Sequence, residues 1–234
     1  MTLPVAILAG GLATRLRPIT ISTPKVLVDV AGKPFIIRTL DHLRANGIAS
    51  VVLCIGHLGE QVRAIVGDGS QFGIDVRYSS DGAELVGTGG ALRQALPLLG
   101  PEFFVLYGDS YLPIDFRPVE RAFASSGKSA LMTVLRNENQ WDQSNVEFHD
   151  GHLIEYNKRT PRAAMHHIDY GLSVLSARAL ASVPAAVPFD LSDTYHYLSR
   201  EGQLAGHEVF ERFYEIGSHD GLEETVRHFQ RSNS

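Results

Sequence analysis

The chain has 234 residues, with 21 Lys+Arg against 26 Asp+Glu, a net charge of −5, and 44% hydrophobic side chains. This is enough apolar material for one large domain, too much for a disordered chain, and the wrong charge for a general nucleic-acid binder. One cysteine excludes an intrachain disulfide, no run approaches the roughly 18 apolar residues of a membrane span, and Met1-Thr2-Leu3-Pro4 lacks the basic segment of a secretory signal, so the expectation is a cytoplasmic globular protein.

In chain order, Val5-Ala6-Ile7-Leu8 is a continuous apolar run of the kind buried on both faces of a parallel sheet. Residues 1–40 around it hold Arg15, Arg17, Lys25, Lys33 and Arg38 against Asp29 alone, a net +4, which leaves −9 for the remainder. A basic, glycine-containing segment on an acidic protein points to an anionic ligand or to a solvated basic face; charge alone does not separate the two. Pro34 to Asn46 reads as a helix with Phe35, Ile36, Leu40 and Leu43 inward and Gly47 as its stop. Val51–Ile55 is a second buried strand, with Cys54 as a buried structural thiol, and Phe103–Tyr107 is a third. Helices are expected over Leu58–Val66 and Gly89–Leu99. Strand–helix alternation of this kind implies an α/β domain with a largely parallel sheet.

The pattern changes after that. Ser129–Arg136 is a strand, and Asn145–Phe148 with Leu153–Tyr156 flank Asp150-Gly151, a good hairpin turn. Ile168–Leu175 is another strand, Leu191–Arg200 and Gly221–Gln230 are helical, and Val209–Ile216 is extended. No linker and no internal repeat breaks the chain. The expectation is one domain over 1–234, with a first half (1–112) and an elaborating second half (113–234) built onto the same sheet.

Leu8-Ala9-Gly10-Gly11-Leu12-Ala13-Thr14-Arg15-Leu16-Arg17-Pro18 follows the first strand. A glycine pair at a strand's carboxyl end lets backbone N–H groups converge on a phosphate, at the edge where open α/β sheets bind ligands. Taken alone such a pair is as often a structural turn, but Arg15, Arg17 and Pro24-Lys25 add the cations an anion needs. Gly108-Asp109, just past a buried strand, is a common turn and also a position from which a carboxylate can hold a hard cation. Gly87-Thr88-Gly89-Gly90 opens a helix, where small residues and free N–H groups permit flat contact with a base. His166-His167 would point to opposite faces of a strand and so cannot share a metal; Trp141 reads as loop packing.

Gly10-Gly11-Leu12-Ala13-Thr14-Arg15-Leu16-Arg17-Pro18-Ile19-Thr20, followed by Thr23-Pro24-Lys25-Val26-Leu27-Val28-Asp29-Val30 and Gly32-Lys33-Pro34, resembles the signature of the sugar-1-phosphate nucleotidylyltransferases. The likeness extends through residue 228 and is nearest in pattern to small single-domain heptose-1-phosphate guanylyltransferases and N-acetylmuramate-1-phosphate uridylyltransferases. It implies a Rossmann-like three-layer α/β sandwich with a mostly parallel mixed sheet. It also implies transfer of a nucleotidyl group from a nucleoside triphosphate to a sugar 1-phosphate, with Mg²⁺ as cofactor and pyrophosphate as the second product. Homo-oligomers are frequent among such proteins, and the oligomeric state stays open.

Joining two polyanions requires charge neutralisation at the α-phosphorus and at the leaving pyrophosphate. Arg15 offers a planar fork for that pyrophosphate and Lys25 a point charge. The resemblance assigns the nucleotide to Leu8, Ala9, Gly10, Gly11, Ala13 and Thr14, and the nucleobase to Gly87, Thr88, Gly89 and Gly90. Asp109, in Gly108-Asp109-Ser110, occupies the family's metal position. Glu215, in Phe213-Tyr214-Glu215-Ile216-Gly217, stands where the family has aspartate. On the sugar side Lys158 carries over, whereas Asn157, Asp169 (before Gly171) and Asn145 replace other residues and divide the hydroxyl recognition. Guanine leads on family pattern, with uracil next. The alternatives are a uridylyltransferase for an amino-sugar 1-phosphate, transfer to a non-sugar phosphate or phosphonate, and a catalytically inactive regulatory subunit of the same fold.

Overall fold

The computed structural model describes residues 2–82, 86–180 and 188–232. The first half alternates as its apolar runs require. Strand β1 (Val5–Leu8) is followed by three short 3₁₀ turns and a two-residue ladder, β2 (Asp29–Val30) with β3 (Lys33–Pro34). Next come α1 (Phe35–Ala45), β4 (Ser50–Ile55), α2 (Gly59–Val66), β5 (Asp75–Ser80), α3 (Gly87–Leu99) and β6 (Glu102–Tyr107). The second half continues with β7 (Ser110–Tyr111), α4 (Phe116–Ser126), β8 (Ala130–Arg136), β9 (Val146–His149), β10 (His152–Tyr156) and β11 (His167–Ser176). It closes with α5 (Leu191–Arg200), β12 (Leu204–Val209), β13 (Tyr214–Glu215) and α6 (His219–Ser232).

Nine strands form one mixed sheet. Strands β6, β1, β4 and β5 are parallel neighbours in that order, and β11 joins antiparallel to β6. Strand β11 is long enough to have different neighbours along its length. Its C-terminal part lies between β6 and β8, while His167, near its start, pairs with Val146 of β9. A notch therefore opens where β6 ends and β9 takes over, and β12 extends the sheet beyond β8 in parallel. The elements expected in the second half are thus built onto the first half's sheet.

Alternate side chains of each central strand serve opposite cores, as period-two geometry dictates. Val5, Ile7, Leu53 and Leu106 face α1, α2 and α4, whereas Ala6, Val52 and Val105 face α3 and α5. Both faces are covered, giving three layers. A smaller cluster of Val28, Val30, Phe35, Ile216 and Phe229 fastens α6 to the first half.

Three elements differ from the sequence expectation. β5 has the exposed–buried alternation of an edge strand and offers no apolar run to read. α4 contains Pro118, but Asp115 caps it by accepting from the Arg117 N–H at 2.9 Å, and Phe116, Val119 and Phe123 form its buried stripe. The extended segment expected over 209–216 holds only the last residue of β12, Val209, and the two residues of β13, with 210–213 outside any strand. Most of β12 precedes it, and its Gly206 leaves room for the Phe148 ring; a Cβ there would lie 2.6 Å from it. None of the helices among the described residues is long and apolar enough to cross a membrane.

Candidate active site

Two cavities open along the carboxyl ends of the central strands, the edge at which such sheets bind ligands. The first, of about 270 Å³, is lined by Leu8, Ala9, Gly10, Gly11 and Ala13 after β1, by Gly87 and Thr88 opening α3, and by Lys25 and Asp109. Val26, Cys54, Asp81, Ala91, Tyr107 and Gly108 complete its wall. The second, of about 580 Å³, fills the notch beside β6 and is lined by Arg15, Asn145, Lys158, Asp169, Gly171 and Glu215 among others. Tyr107 and Asp109 belong to both cavities, so the two spaces meet at the end of β6.

Close backbone approach builds this junction. Gly108 donates its N–H to Leu8 O at 3.0 Å, and a Cβ on Gly108 would stand 2.7 Å from that same oxygen. Glycine is therefore required for β6 to deliver Asp109 against the first loop. Lys25 Nζ lies 2.5 Å from Asp109 Oδ2, a charge-assisted contact between two partly buried side chains. Glu215 arrives from the other end of the sequence. β13 pairs antiparallel with β7, setting Glu215 opposite Ser110, and Ile216 donates its N–H to Asp109 O at 2.9 Å.

Glu215 is held by its own loop. Its carboxylate accepts from Gly217 N–H at 3.1 Å and from the Ser218 hydroxyl at 3.3 Å, and Thr225 of α6 donates to its backbone oxygen at 3.0 Å. Arg15 reaches this corner from its 3₁₀ turn: a Cβ on Gly217 would be 3.2 Å from Arg15 Nη2. Arg15 thus stands with the second cavity and Glu215, while Lys25 stands with the first.

On the far wall, a register irregularity in β11 between Asp169 and Ser173 turns Asp169 into the second cavity. Gly171 has φ +104°, which glycine adopts without strain, and donates its N–H to Asp169 Oδ1 at 3.0 Å. Burial pushes the Asp169 carboxyl up to about 6, opposed by that N–H and by the Lys158 charge. Asn145 Oδ1 accepts from the Asp169 N–H at 3.0 Å, so its carbonyl oxygen braces the strand. Arg212 forms an ion pair with Glu224 and lies over the Tyr214 ring, 5.1 Å from its centroid, at the cavity's outer side.

Four expected ligand residues line neither cavity. Thr14 lies in the 3₁₀ turn and accepts from Arg17 N–H through its backbone oxygen at 3.4 Å. Gly89 donates its N–H to Phe189 O at 3.0 Å, and a Cβ there would be 2.1 Å from the Phe189 ring, so its smallness serves packing. Gly90 is buried under Val86, 2.7 Å from where a Cβ would sit. Asn157 Oδ1 accepts from the Thr160 N–H at 2.9 Å and its amide faces Glu155, so the side chain organises a turn.

Other readings agree with the structure. His166 pairs with Glu138 at 3.0 Å and His167 with Glu208 at 3.2 Å, so the two rings diverge. Trp141 packs edge-on against Phe213 at 6.0 Å and also walls the second cavity. Cys54 is buried; desolvation, then the nearby Asp81 charge, pushes its thiol up to about 12. Asp81 itself, just past β5, went unread because it lies outside every motif.

Asp109 and Glu215 are oxygen donors on adjacent backbone. Among the described residues no group of three or more His, Cys, Asp and Glu side chains is placed to hold a metal. Two carboxylates short of a full cage suit a hard cation that completes its shell with water and phosphate oxygens, as Mg²⁺ does.

The nucleotidyl transferase family profile matches residues 5–146. An N-acetylmuramate α-1-phosphate uridylyltransferase of Neisseria meningitidis serogroup B is 45% identical over 111 residues, 47% of this chain and 48% of that protein. The matched segment thus spans about half of that relative. Among solved structures, a Bacillus anthracis protein described as a glucose-1-phosphate thymidylyltransferase, in complex with sucrose, superposes with a TM-score of 0.86. It is 22% identical, over 97% of this chain and 95% of that one. HddC from Yersinia pseudotuberculosis, complexed with GMP-PN, superposes with a TM-score of 0.81 at 24% identity, over 97% of this chain and 100% of that one. These likenesses give the nucleotide-diphospho-sugar transferase fold. With its profile match running from β1 to the start of β9, the chain belongs to the nucleotidyl transferase family.

Proposed function

We propose that the chain transfers a nucleotidyl group from a nucleoside triphosphate to a sugar 1-phosphate, releasing pyrophosphate. The observation that carries this reading is the junction at Asp109, where two cavities meet beside Lys25, Arg15 and Glu215. The first cavity takes the nucleoside of the triphosphate, between the Gly10-Gly11 loop and the start of α3. The second takes the sugar phosphate, with Lys158 facing its phosphate and Asp169 its hydroxyls. In this assignment residues 1–112 supply the nucleotide side and residues 113–234 most of the acceptor side.

In the reaction an anionic oxygen of the sugar phosphate attacks the α-phosphorus. The bond to the bridging oxygen of the leaving pyrophosphate breaks, and its electron pair leaves with the pyrophosphate. No general base is needed, because the nucleophile is already ionised at neutral pH. Lys158 fixes the acceptor phosphate, while Lys25 and Arg15 hold the triphosphate as negative charge shifts toward the leaving group. Lys25 must exchange Asp109 for phosphate when the nucleotide enters, which leaves Asp109 and Glu215 to hold Mg²⁺. That cation, when bound, neutralises phosphate oxygens. On this reading the protein works in the cytoplasm, where the triphosphate pool lies, with small molecules rather than nucleic acid as its partners. A homo-oligomer is compatible with this reading.

Pyrophosphate release, assayed across the common triphosphates and a panel of sugar 1-phosphates with Mg²⁺ and with chelator, tests the proposal. Turnover with one matched pair, lost in chelator, is expected. Nucleotide binding without turnover for any pair would support the inactive-subunit reading instead.

A further inference from the structure

Resting on the reading that Lys158 faces the acceptor phosphate, we infer that Arg162 is a positioning residue that sets Lys158 in the second cavity. Lys158 lies two residues past the end of β10, outside any strand, in the connection to β11. Tyr156 and Lys158 line the cavity, whereas Glu155 and Asn157 do not. Glu155 is only 8% exposed, and this buried carboxylate anchors the connection. Arg162 Nη2 donates to Glu155 Oε2 at 2.5 Å and to Glu147 Oε2, on β9, at 2.7 Å. Asn157 Nδ2 donates to the other Glu155 oxygen at 3.3 Å, and Asn157 N–H donates to Asn145 O at 2.8 Å. On the far side, the N–H of buried Met165 donates to Arg162 O at 3.0 Å. Lys158 is thus fixed from before and after in the chain.

Three cations stand close together in the sequence, Lys158, Arg159 and Arg162, and the fold uses them differently. Arg159 pairs with Asp193 of α5 at 2.6 Å, and Arg162 bridges two carboxylates. Lys158 forms no ion pair among the described residues; its charge acts on Asp169 and Asp190. A guanidinium fork can hold two carboxylates in fixed geometry, whereas an ammonium is a compact point charge on a flexible stem. Arg162 therefore suits the staple and Lys158 the phosphate. A carboxylate as buried as Glu155 is costly without its counter-charge, which holds Arg162 in one place. The exposed Arg159–Asp193 pair contributes little, so the ordering falls on Arg162. Arg162 lines neither cavity, so its effect on an acceptor passes through Lys158. Fixing the backbone of Lys158 lowers the freedom lost when phosphate arrives.

Trp141 is the chain's only tryptophan and walls the second cavity, so its fluorescence reads acceptor binding apart from turnover. Glucose 1-phosphate, mannose 1-phosphate and N-acetylmuramate 1-phosphate are titrated into the wild type, Arg162→Ala, Arg162→Lys, Lys158→Met and the Arg162→Ala/Lys158→Met double variant. Pyrophosphate release is followed in parallel. Arg162→Ala should weaken the probe that the wild type binds best by about 10-fold or more, and Arg162→Lys should recover part of that loss. The KM for the triphosphate should stay within about 2-fold of wild type. Lys158→Met already lacks the contact, so adding Arg162→Ala to it should cost no more than about 2-fold further. Arg162→Ala with Glu155→Gln, which relieves Glu155 of its charge, should show the same loss and serves where Arg162→Ala does not fold. Unchanged affinity in these folded variants, or losses from Arg162→Ala and Lys158→Met that multiply in the double variant, would overturn the inference. Turnover with an unchanged acceptor KM in Arg162→Ala would overturn it and leave nucleotidyl transfer standing. Non-multiplying losses of binding, without turnover of any pair, would uphold it and count against the transfer reading. Neither binding nor turnover of any probe would overturn both.

Discussion

Burial raises the Asp169 carboxyl to about 6, although Gly171 N–H and Lys158 both favour its charged form. An unfolded aspartate titrates near 3.9. The folded chain therefore holds the extra proton between those values, so this group makes stability fall as pH rises through that window, and the loss persists above it. Asp169→Asn keeps an oxygen for the Gly171 N–H and carries no charge. Urea unfolding should find it more stable at neutral pH by about 1–3 kcal/mol, with a flatter slope between about pH 4 and pH 6. An asparagine variant of equal or lower stability at neutral pH would show that the carboxylate is not held at a cost. Arg15→Ala should lower turnover by roughly 10²–10³ with unfolding unchanged; normal turnover in a folded Arg15→Ala protein would remove Arg15 from the chemistry. At this scale the sequence was most informative where a motif fixed both residue and spacing, as for Lys25 and Asp109. It leaves Gly89 and Gly90 open, because a glycine needed by a neighbouring ring and a glycine needed by a ligand look alike in a string of letters. Asp81 carries no local signal, because its place in the wall of the first cavity is a property of the folded chain alone.

Elements place these side chains with little tolerance. Gly108 sits where β6 passes Leu8 O, and Gly108→Ala would put a methyl 2.7 Å from that backbone oxygen. Neither strand can yield without disturbing the sheet, so the substitution should destabilise by about 1–3 kcal/mol and move Asp109 away from Lys25. Urea unfolding and Mg²⁺-dependent turnover should both register it; an unaffected protein would mean that the strand end relaxes freely. The buried strands β1, β4 and β6 were legible because a fully covered parallel strand must be apolar throughout. β5 and β12 were not, since an edge strand shows half of that pattern and β12 is interrupted by Gly206 for the Phe148 ring. α4 carried a readable cap and stripe, Asp115 with Phe116, Val119 and Phe123, masked by Pro118.

Across the whole molecule, the first 40 residues carry +4 and the remainder −9, and the fold gives that asymmetry a geometry. Lys25 pairs with Asp109 at the end of β6 in the first cavity, Arg15 stands with Glu215 of β13 in the second, and the two cavities share Asp109. No local pattern reveals the pairing of β13 with β7, because it joins segments about a hundred residues apart. Nor does periodicity reveal the notch left where β9 replaces β6 beside β11; it follows from one strand being longer than its neighbour. On the proposed function, this convergence builds a single cation-assisted junction for two phosphates. Its most direct test is the rate of pyrophosphate release against free Mg²⁺ for the wild type, Asp109→Asn and Glu215→Gln. Each variant should need about 10-fold or more Mg²⁺ for half-maximal rate, as when one ligand of a metal site is weakened. Superimposable Mg²⁺ curves for wild type and Glu215→Gln would contradict it.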